Sequence, residues 1–262
     1  MKAQEEKILK RRRKLFLRRI WGVIKLLLLL GFLGACIKGM NYFYNSNYFK
    51  VKEIVVEGNV HYEKEEILNQ LSEIVGENIF EIDKRKTEEK LLKDLVWLKE
   101  VRMNKVFPDK VFINIIERKS FIKIECKGRF YILDSEGVVL EEIAEVELRK
   151  YKELLLVRNV VNYHPTPGEK IAKKNVLGCG DIYLLLEDHL KEKIRNAMVT
   201  NDIYGDIVFV TVDNKRIIFG SSENALEKCK VLEQILIQLL EEGYNYDIID
   251  IRNFKTPAVS VK

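Results

Sequence analysis

The side chains that could do chemistry are few: four cysteines (Cys36, Cys126, Cys179, Cys229) and three histidines (His61, His164, His189). A metal site needs His, Cys or carboxylate ligands at spacings that converge on one point. The histidines are far apart, and His61-Tyr62-Glu63 has no HxxxH partner. His189 lies among charges and reads as a solvated helix residue. The cysteines show no CxxC spacing, and the three outside the apolar segment that holds Cys36 are not a disulfide framework. They read as small buried hydrophobes. A Ser or Cys nucleophile needs a base and an oxyanion hole. There is no GxSxG; the most tempting stretch is Gly178-Cys179-Gly180-Asp181, where glycines could expose a thiolate or simply mark a helix kink or loop. Neither GxGxxG nor a Walker Gly-Lys-Ser is present to cradle phosphate. Asp134 and Glu136 read as turn residues rather than a catalytic pair. Nothing here asks for a metal, a cofactor or a small-molecule substrate, and the balance tilts toward a binding protein.

The elements that must position such a surface begin with charge. Residues 1–19 carry nine basic and two acidic side chains, a net of +7. The whole chain of 262 residues is at +5, so the remainder is at −2. A nucleic-acid-binding domain keeps positive charge on its folded part, which this chain does not. With 47% hydrophobic and 32% charged residues the chain is globular, and its length suits one large or two small domains.

Ile20–Met40 is apolar apart from Lys25 and Lys38. As a helix at about 1.5 Å per residue it spans roughly the hydrocarbon thickness of a bilayer. Trp21 marks one interface; Tyr42, Phe43 and Tyr44 mark the other. The basic cluster before it places the N-terminus in the cytoplasm and the bulk outside. Two rival readings, a cleaved signal after Gly34-Ala35 and a lipobox-like Leu33-Gly34-Ala35-Cys36 lipidated at Cys36, also put residues 48–262 outside.

Beyond a polar-aromatic linker (41–47), Phe49–Val56 alternates as a strand. Glu63–Ser72 and Lys84–Val96 read as helices, the second capped by Asp83. Val101–Val106 and Val111–Glu117 form a hairpin around Phe107-Pro108-Asp109-Lys110. The order is β-α-α-β-β, a small domain with an open sheet edge able to accept a strand. A second region predicts strands at Phe121–Cys126, Arg129–Leu133, Val138–Leu140 and Leu154–Val157, a helix over Lys170–Glu187, and a hairpin of Asp206–Val212 with Arg216–Phe219. An amphipathic helix Glu223–Glu242 capped by Ser222 follows, then a strand Asp247–Ile251 and a last extended piece, Ala258–Val261. The fold class is α+β.

Ile54-Val55-Val56-Glu57-Gly58-Asn59, Glu65-Glu66-Ile67 and Gly76–Asp83 resemble the first half of a POTRA (polypeptide-transport-associated) domain. Trp97–Val101, Phe107–Val111 and Glu117-Arg118-Lys119 resemble its second half as found in the FtsQ/DivIB family of bacterial division proteins, although Val96 stands where many members have proline. Tyr131–Gly137, Arg216–Gly220 and Ile249–Arg252 with Pro257 and Val259 are similar to that family's β domain. The resemblance implies a basic cytoplasmic tail (1–19), a transmembrane helix (20–40), the linker, a POTRA domain (48–118), a mainly antiparallel β domain with helices (119–251) and a C-terminal edge strand (252–262). It further implies a non-enzymatic scaffold at the division septum that helps regulate septal peptidoglycan synthesis. Its partners would be FtsL-type and FtsB/DivIC-type subunits, adding a strand along Asn253–Val261. The candidate binding residues are Arg252, Asn253, Phe254, Lys255, Thr256, Ala258, Val259 and Val261, with Phe254 as hydrophobic anchor and Pro257 limiting the ladder. A fraying terminus is the plain alternative for this segment. A POTRA docking or chaperone module for protein export and an anchored extracytoplasmic enzyme are the competing functions.

Overall fold

The computed structural model describes residues 2–44, 46–158, 160, 163–171, 173–200 and 205–261, with side chains from residue 20 onward. The predicted basic tail is thus described by its backbone, and Met1, Asn45 of the linker, Ala172 of the predicted helix 170–187 and Lys262 of the tail lie outside the described residues. Helix α1 runs unbroken over Lys2–Tyr44. Its Ile20–Tyr44 portion is long and apolar enough to cross a membrane, and none of its most apolar window is buried against protein. The helix takes in Asn41–Tyr44, most of the predicted linker, because no proline or glycine there stops it.

The chain clusters into two compact units, residues 1–57, 62–88 and 102–114 in one, and 58–61, 89–101 and 115–262 in the other. Strand β1 (Glu53–Glu57), helices α2 (Lys64–Gln70) and α3 (Lys84–Asp94), and strands β2 (Leu98–Val106) and β3 (Lys110–Glu117) follow the predicted β-α-α-β-β order. The strands lie in the order β1-β3-β2, with β1 parallel to β3 from Glu53 opposite Lys110 to Glu57 opposite Asn114. The ion pairs Lys52–Asp109 (2.9 Å) and Glu53–Lys110 (2.6 Å) fasten the start of that ladder. In the first unit Val51, Ile67, Ile79, Met103, Val111 and Ile113 are buried. Asp83 caps α3, its Oδ1 accepting from the N–H groups of Arg85 (3.0 Å) and Lys86 (3.2 Å).

The second unit carries a nine-stranded sheet built from β4 (Ser120–Cys126), β5 (Arg129–Asp134), β6 (Val139–Ile143), β7 (Leu155–Arg158), β8 (Ile194–Val199), β9 (Ile207–Thr211), β10 (Arg216–Gly220), β11 (Tyr246–Asp250) and β12 (Ala258–Val261). The order is β12-β11-β10-β9-β8-β7-β4-β5-β6. Most neighbours are antiparallel; β4–β7, β7–β8 and β10–β11 are parallel. Helices α4 (Lys174–Leu185) and α6 (Ala225–Glu241), with the single turn α5 (Asp188–Lys191), complete it. The core brings Ile122, Tyr131, Val157, Phe209 and Phe219 of the sheet together with Val176, Cys179 and Ile182 of α4 and Leu232 of α6. Burying such side chains contributes about 1.5–3 kcal/mol each.

Three sequence expectations change here. The helix predicted over Lys170–Glu187 starts only at Lys174, because Lys170 and Ile171 pair with the residues leading into β6: Lys170 bridges to Val138, the Ile171 N–H donates to Gly137 O (2.8 Å) and the Ile171 side chain is buried. Ser222 does not cap α6. The helix starts at Ala225, preceded by Asn224 in the left-handed region (φ 54°), with no side-chain cap. Strand β8 was not foreseen, since Arg195-Asn196 interrupts its apolar pattern.

Gly178 and Gly180 neither break α4 nor expose the thiol between them. A Cβ on Gly180 would lie 2.5 Å from the Phe121 ring and 2.8 Å from Ile122 Cγ2, and one on Gly178 would lie 2.9 Å from Ser222 Oγ. The glycines let the helix approach β4 and the turn after β10 closely. Asp134 is also more than a turn residue. Its carboxylate accepts from Arg118 Nη1 (2.6 Å) and from the N–H groups of Glu136 (2.9 Å) and Val138 (2.8 Å), and it is almost wholly buried.

Two stability measurements follow. Gly180→Ala should cost about 1–3 kcal/mol in denaturant unfolding, as Phe121 is driven from its place. Asp134→Ala should cost about 1–3 kcal/mol, because it leaves the N–H groups of Glu136 and Val138 without their acceptor and Arg118 with Glu136 as its remaining carboxylate; an unchanged midpoint in either case would remove the packing or pairing role.

Candidate functional site

The two ends of the nine-stranded sheet are treated differently. At the β6 end, residues 168–171 pair with the entry to the strand: Gly168 N–H donates to Val139 O (2.8 Å), Val139 N–H to Glu169 O (2.9 Å), and Val138 bridges to Lys170. At the other end β12 pairs with β11, Ile249 opposite Val259 and Asp250 opposite Ala258. Among the described residues no other strand pairs with β12. An unpaired strand edge presents N–H and C=O groups to whatever comes alongside.

The chain reaches that edge through a built turn. Ile251 N–H donates to Ile218 O (2.9 Å), carrying the β10–β11 ladder one residue further. Arg252 then folds back. Its Nε and Nη2 donate to the Asp250 carboxylate (3.1 and 2.7 Å), and Nη1 to Asp206 (3.0 Å). Burial works against the charge of Asp250, but its bonds to Arg252 outweigh burial and hold its carboxyl below the ordinary range; the same bonds hold the guanidinium above its own. Asn253 makes the reversal, its Oδ1 accepting from Lys255 N–H (3.2 Å) and its O from Thr256 N–H (3.1 Å).

The predicted binding residues therefore divide. Arg252, Asn253, Phe254, Lys255 and Thr256 occupy the turn, and only Ala258, Val259 and Val261 stand on the strand. Val259 packs against the core, Phe254 is half-buried, and Ala258 and Val261 are exposed. The extended piece read at Ala258–Val261 is β12, whereas the docking segment implied by the resemblance, Asn253–Val261, opens with a turn because Asn253 reverses the backbone. Sequence reading missed the clasp on Arg252: Asp250 is visible two residues away, but Asp206 comes near only through the fold.

Beside the end of this ladder a cleft of about 740 Å³ opens under the last turns of α6, lined mainly by apolar side chains including Leu190, Phe209, Phe219, Leu236 and Tyr246. Tyr246 also pairs with Val261. Lys215 Nζ lies 4.4 Å above the Tyr246 ring centroid and 2.8 Å from Asp213.

The candidates for chemistry are placed elsewhere. Cys179 is buried within α4, its thiol pushed up to about 12 by burial; Cys229 is likewise pushed up to about 11. Thiols in that state are inert packing groups at neutral pH. His61 stacks on Trp97 (3.9 Å between centroids), and His164 Nδ1 lies 3.4 Å from Tyr131 Oη. Among the described residues no three His, Cys, Asp or Glu side chains gather as a metal site. Lys228 is buried, and desolvation lowers its pKa; its ammonium donates to Phe219 O (2.7 Å) and Ser221 O (2.9 Å), tying α6 to the end of β10.

Residues 49–118 match the FtsQ-type POTRA domain. The chain is 35% identical over 135 residues to the cell division protein FtsQ of Syntrophotalea carbinolica, covering 50% of this chain and 46% of that protein. It is 30% identical over 103 residues to the cell division protein DivIB of Clostridium botulinum, covering 39% and 40%. These alignments span under half the length of either relative. DivIB of Clostridium tetani is 25% identical over 227 residues, covering 82% of this chain and 80% of that protein. The β-α-α-β-β domain behind an apolar helix, followed by a mainly antiparallel sheet, is the architecture that goes with these similarities: residues 49–118 are a POTRA domain of the FtsQ type, and the chain as a whole is similar to bacterial cell division proteins named FtsQ and DivIB.

Proposed function

We propose that this chain is a membrane-anchored, non-enzymatic scaffold of the division site, and that β12 is its docking edge for a partner strand. The carrying observation is at the β12 end of the sheet: β12 is paired with β11 and has a neighbour on one side only among the described residues, whereas at the β6 end the chain's own residues 168–171 pair with the entry to that strand, Gly137–Val139. Strand addition gives affinity through backbone hydrogen bonds and specificity through alternate side chains. Val261 offers an exposed apolar contact on the strand, and Phe254 a half-buried one in the turn. The family points to FtsL-type and FtsB/DivIC-type subunits as partners. The +7 charge of residues 1–19 supports an N-terminus in the cytoplasm and a bulk outside, and enrichment at the septum would follow from binding those partners.

Arg252 acts in this scheme through β12 rather than by touching the partner, since its guanidinium is already engaged by Asp250 and Asp206.

The test is a calorimetric titration of the full chain in lipid nanodiscs with the outer segment of the organism's FtsB/DivIC-type subunit, alone and with the FtsL-type subunit. Phe254→Ala and Val261→Asp should each weaken binding roughly tenfold or more, while a chain ending at Ile251 should lose it. Equal binding by folded forms of all four would move the site off the C-terminal edge, and no binding by the unaltered chain would sink the scaffold reading. Arg252→Ala should speed amide exchange in β12 and weaken binding less than truncation does; unchanged exchange would remove the clasp.

A further inference from the structure

Exposed aromatic rings gather at the end of α1. Tyr44, in its last turn, stacks on Phe80 (5.1 Å between centroids), and Phe80 stacks on Phe107 (5.0 Å). Phe49 packs against Phe43 and Phe80 at 5.0 and 5.1 Å. Folded aromatic clusters usually bury their area. Here Phe49 is buried, but Phe107 remains 55% exposed, Phe80 40% and Tyr44 37%. Asn78 fixes the arrangement. Its Nδ2 donates to Tyr44 O (2.6 Å), satisfying a carbonyl that the end of the helix leaves open, and its Oδ1 accepts from Phe80 N–H (3.0 Å).

The position of this cluster along the membrane helix says what covers it. The apolar stretch Ile20–Tyr44 has 25 residues. At about 1.5 Å per residue it is roughly 37 Å long. The hydrocarbon core is about 30 Å thick and the headgroup zones extend it to about 40–45 Å. With Ile20 at one hydrocarbon boundary, the last turn of the helix lies in the opposite headgroup zone. Aromatic side chains are the ones enriched at that depth. Phe80 sits one ring stack (5.1 Å) from Tyr44 and Phe107 one stack (5.0 Å) further, so both rings lie within about 10 Å of the helix end.

We infer that Phe80 and Phe107 are a lipid contact, resting the end of the POTRA domain on the headgroup zone of the leaflet from which α1 emerges. Asn78 positions them, and the occupant of the patch is phospholipid. The contact turns a helix end into a fixed footing: the domain meets the membrane through α1 and through two loop rings, 78–80 and 107–109. This rests on Ile20–Tyr44 spanning the bilayer, and the experiment separates the two claims.

Phe80→Trp and Phe107→Trp each keep an aromatic ring. The full-length variants would be reconstituted in phosphatidylcholine vesicles containing lipid with a nitroxide near the headgroup. The added emission is the difference from the unaltered chain, whose two tryptophans are Trp21 and the buried Trp97. The expected result is loss of the added emission to the labelled lipid and little loss to aqueous iodide. If iodide quenches it and labelled lipid does not, the rings face water and the inference is wrong. If neither quenches it, protein covers the patch, and the lipid contact is equally refuted. Trp21 reports insertion in the unaltered chain: its quenching by lipid with failure at both loop sites leaves the span intact and removes only the footing, whereas an unquenched Trp21 removes both.

Discussion

The edge of an open sheet is the constraint on which the larger unit depends. Each end strand leaves backbone N–H and C=O groups that must be paired or solvated, since burying them unpaired is costly. This chain covers one end with its own backbone. The segment 168–171 pairs with Gly137–Val139 at the entry to β6, and the start of α4 is delayed to Lys174 by that use. At the other end the last strand is itself the edge. The hairpin β11–β12 is held by Val259 against the core, by Ile251 on Ile218 and by the Arg252 clasp.

The sheet can be this long because the helices sit close to it. Gly178 and Gly180 remove side chains where α4 meets Ser222, Phe121 and Ile122, and close contact transmits any displacement across the core. The same cysteine that suggested a nucleophile in the sequence is used for its small volume. Its position between two glycines has a packing reason, and burial raises its pKa instead of lowering it. Lys228 carries the other cost of tight packing: a buried amine retained because two carbonyls at the end of β10 need its donors.

Much of this was legible in the residues. The hairpin β9–β10 showed itself through alternating apolar residues around Asp213-Asn214-Lys215, and β4–β5 through Phe121–Cys126 and Arg129–Leu133. Asp83 as the cap of α3 was readable because capping is local. What was illegible depends on partners distant in sequence. Strand β8 exists because β7 and β9 flank it, whatever Arg195-Asn196 does to its pattern. Residues 170–171 look helical until the entry to β6 is there to pair with them. At the candidate site, the extended run 258–261 could be read as a strand, whereas Asp206, 46 residues from Arg252, could not be assigned to its clasp.

That clasp bears on how the proposed docking would work. A free terminal strand must be ordered before it can template another, and ordering costs about 1–2 kcal/mol per residue for the backbone alone. In β12 this ordering is done within the chain by its pairing with β11 and by Arg252. Preorganisation lowers the cost of association without adding a contact to the interface. An arginine at an interface is ordinarily read as a hot spot; here its donors are turned toward Asp250 and Asp206, so its influence on a partner would pass through the strand it holds. The residues that would meet the partner directly are the plainer ones, Ala258 and Val261 on the strand and Phe254 at the turn, and their modest chemistry fits an edge whose backbone supplies most of the attraction.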